Sequence, residues 1–419
     1  MDTSPAVTTP AALPAPQEIR RTARSTIALL VGVYIIDYVD RVMIAVALPL
    51  IGAEFGLVKT EQGLVVSAFA LAYMLSQLPG GLLADRVGAR PLLVISLVGW
   101  SVFAAATGLA PGFVVLLVIR ALFGIAQALF PAASLKALAE RTTPESRSRS
   151  AGLMLSSNFL GAGIGPLVVA PIIVAVGWRH TFWIVALGGA LIGLVLWLKL
   201  PRALPRAVTE STPAPSGPRP PLSVALRSGL VLRCAVMFGC FNMLNYGMIV
   251  WVPTYLIEVR KLSMVAAGAA AAVPMFATAV AVVIGGWLMS RWFDDRARWL
   301  VVPALVVSAL LLVAMLNAGG AWSFTVLQTL AMFSAGLAFI GILGMPLRAL
   351  PRELVGSGMG VVNTGGQLAG VVAPLVMGWL ADRFSFTAAF GFLIATTLAA
   401  AVISLMTSNA ATAPKEVVR

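Results

Sequence analysis

Asp37, Asp40 and Arg41 stand in the middle of an otherwise apolar run from Thr26 to Ile51, within the segment Tyr34-Ile35-Ile36-Asp37-Tyr38-Val39-Asp40-Arg41. An ionisable side chain at membrane depth costs roughly 2.5 to 3.5 kcal/mol on the mildest scale, so such residues are rare and mark the path of a charged solute or a proton. On a helix, Asp37 and Arg41 fall at i and i+4 and share a face with Tyr34 and Tyr38, with Asp40 beside them. One helix thus offers a guanidinium for an anion, phenols for hydrogen bonds, and carboxyl groups able to carry a proton. A buried ion pair that only orients the helix is the plainer reading. Arg120 weighs against it: counted from Gly112 it lies roughly 12 Å deep, and Arg41 counted from Ile51 roughly 15 Å, at about 1.5 Å per residue. Two guanidiniums at similar depth can clamp one anion, and Gly124, Gln127 and Pro131 share the Arg120 face.

Charge counting extends this. With both aspartates ionised, Asp37 and Asp40 balance Arg41 and Arg120. A bound carboxylate alone leaves one negative charge uncompensated, and one proton restores the balance. The two aspartates are best treated as one coupled titration.

The elements that position these residues follow from composition. The chain of 419 residues is 59% hydrophobic and 11% charged, with mean hydropathy +0.96. That is too little polar surface to coat a water-soluble globule, so the expectation is an all-α integral membrane protein. Apolar runs long enough to span occur at 26–51, 61–84, 91–109, 112–135, 150–175, 182–199, 231–257, 264–290, 299–317, 322–347, 357–380 and 385–407, which predicts twelve transmembrane helices. Residues 201–229, rich in proline, serine and threonine, read as a linker between a six-helix bundle at 25–200 and another at 230–408. Residues 1–24 and 409–419 read as cytoplasmic tails, the first disordered. With both termini cytoplasmic, 22 Lys and Arg face inward against 5 outward, the asymmetry that sets topology.

Other chemistries are excluded. The net charge of +13 is scattered through short loops without interleaved aromatics, which argues against nucleic acid. Cys234 and Cys240 lie on different faces of one helix and His180, the single histidine, falls in a loop, so neither a metal site, a cofactor nor a hydrolytic triad is expected. The two halves are weakly repeated: Gly152…Gly165-Pro166-Leu-Val recurs as Gly360…Ala373-Pro374-Leu-Val at an offset of 208 positions (374 − 166). Such repeats suit a carrier built around a central site.

The turn after the second span, Gly81-Leu-Leu-Ala-Asp85-Arg86-Val-Gly88-Ala-Arg90, resembles the Gly-x-x-x-Asp-Arg-x-Gly-x-Arg motif of the major facilitator superfamily, and the resemblance covers residues 25 to 408. It implies two pseudo-symmetric six-helix bundles facing a midplane cavity. In it Gly81 would let helices 2 and 11 approach, Asp85 would sit at a helix N-terminus, and Arg86 and Arg90, with Gly88 between, would pair with cytoplasmic acids to close an inner gate. Arg120-Ala-Leu-Phe-Gly124 is similar to the superfamily's Arg-x-x-x-Gly pattern in helix 4. Gly161-x-x-x-Gly165-Pro166 resembles an antiporter pattern, but small residues at that spacing read better as helix packing.

A finer resemblance is to the anion:cation symporters, which include bacterial sugar-acid permeases: Tyr38-x-Asp40-Arg41, and Ser-Ala-Phe-Ala-Leu-Ala-Tyr73-Met-Leu-Ser-Gln77-Leu-Pro-Gly-Gly in helix 2. It implies that Arg41 and Arg120 hold a carboxylate, that Tyr38 and Tyr73 line the pocket, and that Asp40 takes the coupling proton. Where members of that group often have an acid, seven residues after the helix 4 arginine, this chain has Gln127, and Asp37 is expected to supply the missing carboxyl. Gln77, Gln127, Asn158, Asn242, Tyr246 and Asn363 complete the candidate substrate contacts. Asn158, Asn242, Asn245, Tyr246, Asn363, Thr364 and Gln367 each serve equally well as interhelical hydrogen-bonding groups. Trp251 and Trp299 read as core or interfacial anchors.

These readings lead to a monomeric secondary carrier in a bacterial inner membrane that imports a small organic anion with a proton. A proton-coupled exporter of drugs or metabolites is the alternative, which Arg41 and Arg120 disfavour. The second half supplies few hydrogen-bonding groups, which leans toward an aromatic or short aliphatic carboxylate.

Overall fold

The computed structural model describes residues 14–209, 222–293, 296–350 and 355–407. The first part of the N-terminal tail, the middle of the linker and the C-terminal tail lie outside them. The helices are α1 (Pro16–Phe55), α2 (Lys59–Val87), α3 (Ala89–Gly108), α4 (Phe113–Ala139), α5 (Pro144–Lys199), α6 (Arg206–Thr209), α7 (Leu222–Arg227), α8 (Gly229–Glu258), α9 (Met264–Trp292), α10 (Arg298–Leu316), α11 (Ala321–Ala349), α12 (Val355–Arg383) and α13 (Phe386–Met406). Among the described residues, ten of these are apolar and long enough to cross a membrane. α1 is not among them, because Asp37, Asp40 and Arg41 stand in the middle of its apolar stretch from Thr26 to Ile51. α5 holds two spans, broken at Gly177, whose φ of 81° only glycine adopts cheaply. With α1 and the second arm of α5, the spans number twelve (10 + 1 + 1).

Local chemistry sets the ends. Pro16 occupies the first turn of α1, where its fixed φ suits a helix start and its missing N–H costs nothing, so the helix begins well before the membrane. Residues 16–24, expected as disordered tail, are therefore helical. Ser228, Ser263 and Ser385 cap α8, α9 and α13 by accepting hydrogen bonds from Val231, Ala266 and Ala388. His180 lies not in a loop but in the first turn after the Gly177 break, bonded through Nδ1 to the Val176 carbonyl. The linker departs from a free coil at both ends. Arg141 Nε donates to the Pro201 carbonyl at 2.8 Å, Arg147 donates to Thr209 at 2.6 Å, and Ala225 in α7 is fully buried.

The halves repeat each other in packing as well as sequence. In the first, Ser96 of α3 donates to the Ala126 carbonyl of α4 at 2.7 Å; in the second, Ser334 of α11 donates to the Ala304 carbonyl of α10 at 2.7 Å. At the 208-position offset Ser96 corresponds to Ala304 and Ala126 to Ser334 (96 + 208, 126 + 208), so the same contact persists with donor and acceptor exchanged. The halves meet along two seams, α2 with α12 and α5 with α9, and α1 also touches α8. Each seam sets a glycine against a proline carbonyl. A Cβ on Gly63 would lie 2.4 Å from Pro374 O, and one on Gly268 2.8 Å from Pro166 O. Only glycine permits that approach.

The α2–α12 seam is tied at the end remote from the linker. Ser67 donates to the Val371 carbonyl at 2.6 Å, Lys59 pairs with Glu258 at 2.6 Å, and Asp382 receives the first backbone N–H groups of α2. Trp251 is wholly buried there and donates to Pro374 O, whereas Trp299 is exposed on the rim.

Candidate functional site

α1 and α4 carry the charge. Arg41 Nε lies 3.2 Å from Asp37 Oδ2, with the aspartate side chain only 1% exposed and the arginine 14%. Its guanidinium sits over the rings of Tyr73 at 4.3 Å, Tyr38 at 5.2 Å and Phe69 at 5.6 Å, an aromatic box of the kind that stabilises a desolvated cation by about 0.5–2 kcal/mol per ring. Arg120, 1% exposed, donates to Thr107 Oγ1 of α3 and lies over Phe123 at 4.4 Å and Phe182 at 5.5 Å. Thr107 in turn donates to the Phe103 carbonyl, which fixes its oxygen as the acceptor for Arg120.

Beside these cations lie polar groups that nothing satisfies. Asp40 is 1% exposed and neither of its oxygens has a hydrogen-bond partner among the described residues, and the same holds for Asp37 Oδ1 and for both ends of the fully buried Gln127 amide. A buried carboxylate without donors is costly unless it takes a proton or gains a cation. The charges acting on Asp40 are those of Asp37 and Arg120.

Both arginines open onto one cavity at the junction of the halves. Tyr38, Arg41, Val42 and Ile44 face it from α1; Val66, Phe69, Ala70 and Tyr73 from α2; Arg120 and Phe123 from α4. The second half contributes Tyr246, Ile249 and Val250 from α8 and Gln367 and Gly370 from α12. Tyr246 donates its hydroxyl to Gln367 Oε1 at 3.1 Å, a bond that does not use the Gln367 amide NH2. Gly124, the last residue of Arg-x-x-x-Gly, seats α4 on α2: a Cβ there would lie 2.4 Å from Phe69 O and 3.1 Å from Tyr73 N. The glycine thereby sets the position of the ring that covers Arg41.

The structure gathers Arg41, Arg120, Tyr38, Tyr73 and Tyr246 into one wall and sets Asp37 and Asp40 behind it. Gln77, Gln127, Asn158, Asn242 and Asn363 stand outside that wall. Gln77 and Asn158 are half-buried, Asn363 is exposed, and Asn242 packs against Gly366 within the second half. Tyr34 turns away from the cavity to bond Ser134 at 2.9 Å and so ties α1 to α4. Thr107 and the apolar wall had no signal in the sequence, since a threonine or isoleucine in an apolar helix looks the same whether it packs or lines a site. At the 208-position offset Arg120 corresponds to Gln328 (120 + 208), so the second half is neutral where the first is charged.

The Asp85 turn differs from expectation in this conformation. A Cβ on Gly81 would meet nothing within 4 Å, so Gly63 and Gly378, not Gly81, mark the close approach of α2 and α12. The Asp85 side chain is 80% exposed with Lys136 Nζ at 3.5 Å. Gly88 has a φ of 92° and joins α2 to α3 in a sharp turn. Arg86 is exposed, and Arg90 donates to the Trp197 carbonyl and stacks on that ring at 5.2 Å in place of an acid. The cause is that the α2–α12 seam is tied at its far end, which leaves this turn facing solvent.

Known proteins share both sequence and shape with this chain. It is 29% identical over 370 residues to a hexuronate transporter of Bacillus subtilis, covering 85% of this chain and 87% of the relative. It is 30% identical over 406 residues to a D-galactonate transporter of Escherichia coli O6:H1, covering 90% and 93%. It is 29% identical over 384 residues to a probable sulfoacetate transporter of Cupriavidus necator, covering 87% and 88%. A bacterial homologue of the human lysosomal transporter Spinster, in an inward-facing and occupied conformation, has the same fold, with a TM-score of 0.77 at 18% identity over 91% of this chain and 96% of that one. The family described as Major Facilitator Superfamily matches residues 30–374 and 292–417. Twelve spans in two repeated halves, a central cavity between them and a family match along nearly the whole chain lead to one conclusion: this protein belongs to the major facilitator superfamily and is a multi-pass membrane transporter, not an enzyme.

Proposed function

We propose that the chain imports a small organic anion, with a carboxylate as its charged group, together with a proton, by alternating access to the central cavity. The observation that carries this is the pair Arg41 and Arg120: both lie deep in the protein, and both open onto the cavity where the halves meet. A planar guanidinium presents N–H groups in a fork that fits a carboxylate. That the relatives named above are hexuronate, D-galactonate and sulfoacetate transporters supports an anionic cargo.

Asp40 takes the proton in this reading. Its partnerless carboxyl group feels the charge of Arg120 without pairing with it, so an anion arriving at Arg120 competes for the same cation and favours protonation of Asp40. Proton and anion thus load together. Asp37, paired with Arg41, supplies the second carboxyl that Gln127 does not. The conformation described has its far seam tied and its Asp85 turn exposed, which supports an opening toward the linker side. Loop charge supports a reading in which that side is the cytoplasm and both termini lie inside; the chain then acts as a monomer in the inner membrane of a bacterium. The turn at Asp85, Arg86 and Arg90 then closes the inner side when the far seam opens.

Uptake of radiolabelled carboxylates into proteoliposomes holding the purified chain, with and without an acid-outside pH gradient, tests the proposal. Accumulation that follows the gradient is expected. Uptake indifferent to pH would leave a uniporter or an anion exchanger, and gradient-driven expulsion would favour an exporter.

A further inference from the structure

The cavity has two unlike ends, and the contrast limits what fits between them. Both arginines come from the first half, whereas the second half faces them with Ile249, Val250 and Gly370 and two polar residues, Tyr246 and Gln367, already bonded to each other. Arg41 is paired with Asp37 through Nε and boxed by three rings, so few of its groups are left for a ligand. Phe123 and Phe69 continue the apolar surface around the charged end.

A sugar acid carries a hydroxyl on nearly every carbon, and each hydroxyl is a donor and an acceptor that needs a partner once water is left behind. The neutral hydrogen-bonding groups on this wall are three phenols and one amide, and the Tyr246 proton and Gln367 Oε1 are engaged with each other. Gln77 and Asn363 lie one helical turn from Tyr73 and Gln367, toward the linker side and beyond this wall, and Asn242 packs against Gly366. An apolar wall also has little power to reject a ligand by size alone but leaves every unmatched hydroxyl desolvated.

We infer that the substrate is an amphipathic monocarboxylate: one carboxylate held by Arg41 and Arg120, and a flat or compact apolar body, the size of an aromatic ring, lying against Phe69, Phe123, Ile249 and Val250. This rests on the proposed reading of the site as an anion carrier's, and it separates this chain from the named substrates of its hexuronate and D-galactonate relatives. Gly370 keeps the second-half wall low. A Cβ there would lie 3.2 Å from the Tyr246 ring and 3.4 Å from Ala70, tight enough that the ring would have to shift.

Equilibrium binding to the purified full-length chain, using benzoate and cyclohexanecarboxylate against D-glucuronate and D-galactonate, decides the matter. The apolar acids are expected to bind at least 10-fold more tightly than the sugar acids, and Ile249→Asn, checked for folding by its melting curve, is expected to narrow that ratio at least threefold. Sugar acids that bind as tightly as benzoate or more so, and lose affinity in Arg120→Lys, would overturn the inference and leave the anion site standing. If neither class binds in a manner that depends on Arg120, the anion reading and this inference fall together.

Discussion

Asp382 of α12 accepts hydrogen bonds from the backbone N–H groups of Lys59 at 2.8 Å and Thr60 at 2.7 Å, and from the Thr60 hydroxyl at 2.6 Å. A carboxylate of the second half thereby caps a helix of the first, satisfying donors that α2 cannot satisfy itself. The surrounding sequence Gly378-Trp-Leu-Ala-Asp382-Arg383 repeats Gly81-Leu-Leu-Ala-Asp85-Arg86. α2 and α12 run antiparallel along their seam, so the two copies lie at opposite ends of it.

Asp382→Ala should therefore loosen the far seam. Loss of a cap costs about 1 kcal/mol, a roughly fivefold change in the balance between two conformations. Spin labels at Val58 and Phe384, both on the exposed rim, report it: the variant should show a larger long-distance population by pulsed electron resonance. An unchanged distance distribution would remove Asp382 from the seal.

Arg120→Lys keeps the charge but not the fork, and an ammonium cannot hold both Thr107 and a carboxylate in the same geometry. Loss of charge-assisted hydrogen bonds at about 1.5–3 kcal/mol predicts a 10- to 100-fold weaker affinity for the transported acid. Gel filtration should show a folded monodisperse protein. Wild-type affinity in this variant would make Arg120 a packing residue.

Asp40→Asn mimics the protonated carboxyl at all pH values. In the wild type, uptake should rise as the outside pH falls, because loading requires a proton there; in the variant the pH profile should flatten. Counterflow exchange should persist while accumulation against a gradient disappears. Accumulation at the wild-type level would place the proton elsewhere, and Asp37→Asn combined with Gln127→Glu then becomes the informative pair.

How much of this was legible in the sequence depends on the kind of signal. Asp37 and Arg41 were readable as partners because i,i+4 spacing fixes their distance within one helix, and Arg41 and Arg120 as neighbours because depth is counted along a helix from its end. The rotation of one helix against another is not written in spacing. Nor is the depth at which the cavity ends: Gln77 and Asn363 share a helix face with Tyr73 and Gln367, at i,i+4 spacing, yet stand one turn outside the wall. Gly81 looked like the contact glycine because its motif is specific, yet closeness belongs to a conformation as well as to a residue, and here it falls to Gly63 and Gly378.

The confinement of Asp37, Asp40, Arg41 and Arg120 to α1 and α4 has an electrical consequence. With both aspartates ionised, two positive and two negative charges sum to zero, so the empty site holds no net charge, and an anion accompanied by one proton adds none. Each uncompensated charge crossing the bilayer would exchange roughly 2.3 kcal/mol with every 100 mV of membrane potential. This carrier should therefore work at the same rate whatever the voltage, drawing on the pH difference alone. A potassium diffusion potential imposed with valinomycin should leave uptake unaltered, and a strong response would mean that more than one proton, or none, travels with the anion.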